Sequence, residues 1–454
     1  MMGEKMIHKY KKNGLNIVLD VDTSTVLTVD ELTFEVLDHY EGKTRAEIIA
    51  SFQEKYSVTE LNECLDELDG VKAAGLLFRE MNYQRENYAN EDLIKALCLH
   101  VAHDCNLKCA YCFAAQGDFD GEKLLMPLEV GKKAIDFIIA QSKNRKNLEV
   151  DFFGGEPLMN LDVVKQLVVY GKEMAAKNDK QFKFTMTTNG VLLNAETREY
   201  LNETMDNIVL SLDGRKEVND QMRQTVNDQG SFDVIIDNIK AMAKMRGDKD
   251  HYVRGTYTHH NLDFAKDVEF LAAKGFKSIS VEPVVAEATH DYALTESDLP
   301  TIMAEYDALA LSYLTRHEAG LHYNFFHFNV DLDHGPCVYK RLSGCGAGKD
   351  YVAVTPEGDI YPCHQFVGNE AFKMGDVSNG ITNGEIKKIF DAGNLLEKED
   401  CQSCWAKYFC GGGCHANAYN FNGTIMKPHF VSCEIERRRV ENAIMISIIE
   451  GEQE

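Results

Sequence analysis

The chain has no run of about 18 apolar residues, so it offers no candidate for a membrane-spanning helix and no membrane partner is expected. Its opening stretch, Met1 to Tyr10, lacks the apolar core of a secretory signal, and a cytoplasmic location is expected. Positive charge is scarce: 48 Lys and Arg stand against 72 Asp and Glu, a formal net charge of -24. A protein that grips a phosphate backbone needs a basic face, so nucleic acid is not an expected partner. The same acidity is compatible with a basic or neutral peptide substrate, and equally with solubility alone. What the chain has in excess is cysteine, 13 residues in 454. Without an export signal, metal ligation accounts for them better than a disulfide framework.

Length predicts roughly three domains at about 150 residues each. The first, 1–89, shows strand-like pieces at 6–10, 16–20 and 25–28, followed by helical patterns at 30–39, 46–55 and 59–74. Leu61, Leu65, Leu68 and Val71 recur at helical spacing, and Gly75 supplies the stop. A polar stretch, 82–91, reads as a linker. The second, 90–330, alternates strands at 96–102, 148–153, 182–188, 207–212, 252–258 and 278–283 with helices such as 128–141, 163–175, 232–245 and 264–274. Repeated β-α units imply parallel strands with right-handed crossovers, here a partial (β/α)6 barrel in an α/β fold. The third, 331–454, is rich in Cys and Gly. Its one clear helix is at 433–449, and metal ligation is expected to replace a large apolar core.

Cysteine thiolates are the usual ligands of iron–sulfur clusters. The run Cys105-Asn-Leu-Lys-Cys109-Ala-Tyr-Cys112 follows the first predicted barrel strand and offers three thiolates without an adjacent fourth. A four-iron cluster held there keeps one iron open for an outside ligand. The bland alternative is zinc, which usually takes four protein ligands in paired C-x-x-C spacing. Further landmarks follow successive strands: Gly154-Gly155-Glu156-Pro157, Thr187-Thr188-Asn189-Gly190, Ser211-Leu212-Asp213-Gly214, and Glu282-Pro283. Each tetrapeptide alone is ordinary turn chemistry. Their order after consecutive strands is the informative feature.

With these motifs the chain resembles the radical S-adenosylmethionine (SAM) superfamily, and within it the SPASM-domain peptide-modifying branch. The resemblance runs from about residue 93 to 433. It implies that Cys105, Cys109 and Cys112 hold the radical-generating [4Fe–4S] cluster, whose open iron binds SAM. It also implies SAM contacts from Tyr111, Gly154, Gly155, Glu156, Ser211 and Arg223, with the Glu156 carboxylate accepting from the SAM amino group. Reductive cleavage of SAM would give a 5′-deoxyadenosyl radical that abstracts hydrogen from a substrate.

The C-terminal pattern is Cys345, Gly358, Cys363, Cys401-x-x-Cys404-x5-Cys410-x3-Cys414 and Cys433. It resembles the seven-cysteine SPASM field, which houses two auxiliary [4Fe–4S] clusters and brings the implied total to three. The resemblance assigns Cys401, Cys404, Cys410 and Cys433 to a distal cluster, and Cys345, Cys363 and Cys414 to a proximal one. Cys337 is the candidate eighth ligand. If it ligates, the proximal cluster is closed and serves electron transfer; if not, one iron is open to a substrate thiolate. Cys64 and Cys98 are expected as buried thiols, His100 and His103 as packing residues, and Trp405 as a shield over the distal cluster.

The first domain resembles the winged-helix-like recognition elements that bind a precursor's leader peptide as an added strand, between the third strand and third helix. As a whole the chain is similar to the maturases of SCIFF peptides, short Cys-rich precursors. That resemblance implies a thioether (sactionine-type) bond between a cysteine sulfur and a carbon, expected to be Cα, of another residue. It also implies an electron donor such as flavodoxin or ferredoxin. The competing readings are an anaerobic sulfatase-maturing type of protein oxidase, which converts Cys or Ser to formylglycine, and a non-catalytic iron–sulfur electron-transfer protein.

Overall fold

The structure is a computed structural model, and it describes residues 6–79, 93–332 and 341–451. The sequence opens on an antiparallel sheet, β1 (Ile7–Lys12), β2 (Leu15–Asp20) and β3 (Val26–Thr28), in the order β1-β2-β3. Three helices follow, α1 (Glu31–Tyr40), α2 (Arg45–Phe52) and α3 (Val58–Ala73). Each starts on a side-chain cap: Asp30 for α1, and capping boxes Thr44/Glu47 and Ser57/Glu60 for α2 and α3. Gly75, at φ +73°, ends α3 by donating to the Lys72 carbonyl. Strand alternation on β2 gives the sheet two jobs. Val18 packs with the three helices, while Ile17, Leu19 and Val21 join the core of the rest of the molecule.

All six predicted barrel strands form: β4 (Ala96–His103), then β7 (Asn147–Gly154), β8 (Gln181–Thr188), β9 (Asn207–Ser211), β11 (His251–Tyr257) and β12 (Ser278–Pro283), with short β5 (Leu107–Cys109), β6 (Leu124–Leu125) and β10 (Arg223–Thr225) lying between them in sequence. The six pair side by side, parallel and in chain order, and the short parallel strand β13 (Asn324–Phe325) extends β12. Helices α4 (Leu128–Gln141), α5 (Leu161–Lys177), α6 (Ala195–Thr204), α7 (Lys216–Met222), α8 (Phe232–Arg246) and α9 (Phe264–Ala273) make the crossovers. A long helix, α10 (Leu299–Glu318), precedes β13. The fold is the mixed α/β type with a parallel sheet that the sequence implies.

The C-terminal segment differs from expectation in one respect: it is not poor in core. Strand β14 (Tyr351–Val354) pairs in parallel with β4, and β15 (Asp359–Tyr361), β16 (Gly375–Asp376) and β17 (Gly380–Ile381) continue the same 12-stranded sheet. Val352, Ala353 and Val354 are fully buried, as are Ile360 and Met374. Helices Gly384–Ala392 and His415–Asn422 accompany the terminal helix Phe430–Gly451. The error in the sequence reading was to weigh this segment alone. Its apolar residues are few and dispersed, but they are buried by joining the barrel's core. Among the described residues, no helix is long and apolar enough to cross a membrane.

Candidate active site

The Cys105–Cys112 loop leaves the end of β4 and is pinned at several points. Its strand β5 pairs antiparallel with β10, with Cys109 opposite Arg223. The Tyr111 hydroxyl donates to both carboxylate oxygens of Asp213 at 2.9 Å and accepts from Arg223 Nη1 at 2.9 Å. Asn189 Nδ2 donates to the Cys105 sulfur at 3.7 Å and to Asn106 Oδ1 at 2.8 Å. Two glycines make room. A Cβ on Gly117 would fall 2.8 Å from Cys105 Cβ, and one on Gly155 would fall 2.2 Å from the Asp104 carbonyl oxygen. Burial pushes the Cys105 thiol up to about 12 and the Cys109 thiol up to about 11, with Arg223 pulling the latter down. Burial likewise raises Asp213 to about 6, against the pull of Arg223 and Tyr111.

Glu156 is engaged within the protein. It is fully buried, and its carboxylate accepts from Thr188 Oγ1 at 2.8 Å, Asn189 N at 2.8 Å and Leu158 N at 3.0 Å. Its side chain ties the loop after β7 to the loop after β8. Ser211 and Arg223 line the large cavity described below, and Arg223 Nε is buried without a partner.

The second cysteine field divides into two sets. Cys363 lies within charge reach of Cys345 and Cys414, and Cys345 within reach of Cys414. Separately, Cys401 interacts with Cys410 and Cys404, and Cys433 with Cys401 and Cys404. Cys410 interacts with Cys433, and it accepts from the backbone N–H groups of Gly412 and Gly413. Those turns need glycine: Gly411, Gly412 and Gly413 have φ of +75°, +97° and +72°. Cys337 lies outside the described residues, as do Gly335, Pro336 and the 82–91 linker. Cys98 is fully buried, and Cys64 nearly so. His100 and His103 are buried packing residues that bond each other at 3.1 Å.

Trp405 reaches to the first sheet. Its indole stacks on His8 of β1, with ring centroids 3.7 Å apart and planes 3° apart. Sequence reasoning also missed Lys398, three residues before Cys401. It is 1% exposed, its ammonium donates to the Gly412 carbonyl at 2.7 Å, and it faces Cys401, Cys410, Cys414 and Cys433. A lysine that close in sequence to a C-x-x-C pair was the available signal. Arg437 approaches the Cys404 sulfur at 3.7 Å.

One cavity of about 1430 Å³ joins these parts. Tyr111, Phe113, Ser211 and Arg223 line it from the barrel, and Cys345, Cys363, Cys410, Cys414 and Cys433 line it from the C-terminal segment. Asp151, Arg254 and Glu282 face it from the barrel interior. Burial works against an ionised Glu282, but His327, Arg254 and Arg439 hold its carboxyl well below the usual range.

The donor sets fit iron–sulfur clusters. Among the described residues, no three or more His, Cys, Asp or Glu are grouped to hold a single metal ion. A four-iron cluster is a larger body and is met by more widely spread thiolates. Three thiols on one loop, with glycine backbones packed against it and an unpartnered guanidinium nitrogen nearby, suit a cluster with a charged ligand beside it.

Comparison with known proteins agrees. A 4Fe-4S single cluster domain matches residues 96–237, and an iron–sulfur cluster-binding (SPASM) domain matches residues 345–405. A cysteine-type anaerobic sulfatase-maturating enzyme of Clostridium novyi is 25% identical over 71% of this chain and 89% of its own length. The radical SAM cyclopropyl synthase TigE of Paramaledivibacter caminithermalis is 22% identical over 92% of this chain and 89% of its own. Among solved structures, anSMEcpe with bound AdoMet superposes with a TM-score of 0.64 at 18% identity, over 78% of this chain and 98% of its own. Streptococcus suis SuiB bound to the precursor peptide SuiA superposes at 0.53 and 17%, over 95% and 99%. The chain thus matches two iron–sulfur cluster-binding domains and is similar to a sulfatase-maturating enzyme and to a radical SAM cyclopropyl synthase.

Proposed function

We propose that this chain is a radical SAM maturase that installs a thioether, of the sactionine type, between a cysteine sulfur and a carbon, taken as Cα, of another residue in a leader-bearing ribosomal peptide. The observation that carries the reading is the shared cavity, which Tyr111 and Phe113, beside Cys112, line together with Cys345, Cys363, Cys410, Cys414 and Cys433, and which is large enough for a peptide segment. Relatives named as maturating enzymes or maturases, and one solved relative bound to a precursor peptide, support a peptide substrate.

In this reading Cys105, Cys109 and Cys112 hold the first cluster. Cys345, Cys363 and Cys414 hold a second, and Cys401, Cys404, Cys410 and Cys433 a third. SAM bound at the first cluster supplies a hydrogen-abstracting radical when reduced. Arg223, fixed through Tyr111, presents a cation toward the cavity, and Ser211 presents a hydroxyl. The paired β5 and β10 strands and the buried Glu156 hub hold the loops rigid, which keeps reacting groups in place. The leader docks along β3, an edge strand of the first sheet, beside α3. An acidic redox protein such as flavodoxin or ferredoxin supplies electrons.

The test is mass spectrometry of a cognate precursor after anaerobic incubation with reconstituted enzyme, SAM and reductant. A thioether removes two hydrogens and one alkylatable thiol. Formylglycine instead would favour a sulfatase-maturing activity, the reading that the Clostridium novyi relative supports. That relative matches 71% of the chain and TigE matches 92%; an activity that uses the first domain is better served by the longer match.

A further inference from the structure

The barrel interior carries a carboxyl that the scheme above leaves without a part. On β7, Leu148, Val150 and Phe152 are 0–1% exposed in the core between sheet and helices. Alternation therefore turns Asp151 and Phe153 to the other face, and both line the cavity. Among the described residues, Thr187 Oγ1 donates to the Asp151 carboxylate over a long 3.5 Å. Asp213 and Glu282, also in the barrel, have close cationic or hydroxyl partners. A carboxylate buried without a close partner is costly to ionise. Burial accordingly raises Asp151 to about 7, with Arg254 of β11 pulling it down and the Thr187 hydroxyl helping. The other titratable groups facing it are Cys98 on β4 and Tyr351 on β14, and burial keeps both neutral. Groups perturbed in this way inside a cavity are concentrated at functional sites.

We propose that Asp151 is the general base that takes the proton from the peptide cysteine thiol as its sulfur enters the cavity. This rests on the cysteine-modifying reading above. The thiol S–H bond breaks, its electron pair stays on sulfur, and the proton goes to an Asp151 carboxylate oxygen; no electron moves. An ordinary thiol near about 8.5 and a base near 7 exchange a proton with little penalty, whereas a solvated aspartate near about 3.9 is a far weaker acceptor. Protonation of Asp151 also leaves Arg254 facing the new thiolate across the same cavity. The carboxylate is thus replaced by sulfur as the anion in the barrel mouth, with little change in local charge.

The experiment compares wild type, D151N and D151E as reconstituted full-length enzyme with a cysteine-containing precursor. Iron content and circular dichroism check assembly. Wild-type crosslinking, as kcat/KM, is expected to climb with pH through about 7 and level off. D151N should be at least tenfold slower and lack that limb, and D151E should recover part of both. Infrared difference spectra of wild type between pH 6 and pH 8 should show a carboxylic acid band that D151N lacks. This readout needs no turnover. Crosslinking by D151N within twofold of wild type and with the same limb overturns the role, whatever the product. If D151N fails to assemble, the wild-type infrared titration decides, and absence of a band titrating near 7 overturns the role. Loss of the limb in D151N while wild type makes a different cysteine-derived product keeps Asp151 as the thiol base and removes only the thioether reading.

Discussion

The indole of Trp405 lies flat on the imidazole of His8, with ring centroids 3.7 Å apart and planes 3° apart. This pair joins the first sheet to the C-terminal cysteine field. Nearby, Tyr10 donates to the Glu441 carbonyl at 3.0 Å, and Lys12 pairs with Asp307 at 2.6 Å. Trp405→Ala should loosen the docked first domain at an expected loss of about 1 kcal/mol. Hydrogen exchange should rise in β1 while iron content stays at the wild-type level. Loss of auxiliary iron with unchanged exchange in β1 would instead support a shielding role.

Lys398 and Arg437 place positive charge against the Cys401 set. Cations near cluster sulfurs stabilise the reduced form, which carries the extra negative charge. Lys398→Met should therefore lower the midpoint potential of an auxiliary cluster in an EPR-monitored redox titration. Lys398→Arg should restore most of it.

Replacing Cys105, Cys109 and Cys112 together by alanine should remove one cluster of three. Iron should fall from about twelve to about eight atoms per chain. SAM cleavage should vanish, while leader-peptide affinity, measured by fluorescence anisotropy, should stay within about twofold. A parallel loss of leader binding would show that the first domain depends on the barrel loop.

The weakened acidity of Asp151 has a consequence for stability. With a folded value of about 7 and an ordinary carboxylate value when unfolded, the native state binds more protons between those limits. Stability should then decline as pH rises through that window, and Asp151→Asn should remove this part of the decline. Urea midpoints of wild type and variant at pH 5 and pH 8 measure it. An identical pH slope in both proteins would contradict the shift.

Much of the architecture was legible in sequence because local physics dictates it. The helical spacing of Leu61, Leu65, Leu68 and Val71 and the Gly75 stop mark a helix and its end. The six barrel strands announce themselves by apolar runs followed by helical periods. The C-terminal cysteines are equally plain in sequence, and the structure brings Cys345 near Cys363 and Cys414, and Cys401 near Cys404, Cys410 and Cys433. Nothing local reveals the protein partners of Glu156. Only the fold reveals that Thr188 and Asn189 reach its carboxylate. The stacking of Trp405 on His8 is likewise hidden by their distance in sequence.

The sequence by itself determined the spacing of Cys105, Cys109 and Cys112, the order of the glycine-bearing loops and the identity of each inward-facing strand residue. These follow from covalent spacing and from the two-residue period of a strand. Tertiary structure alone decided which of them meet. Pairing of β14 with β4 draws the C-terminal cysteines over the barrel mouth, and curvature of the sheet puts Asp151 of β7 within reach of Arg254 of β11 across two intervening strands. Such encounters depend on sheet closure and on burial of both faces at once, and no local pattern encodes either.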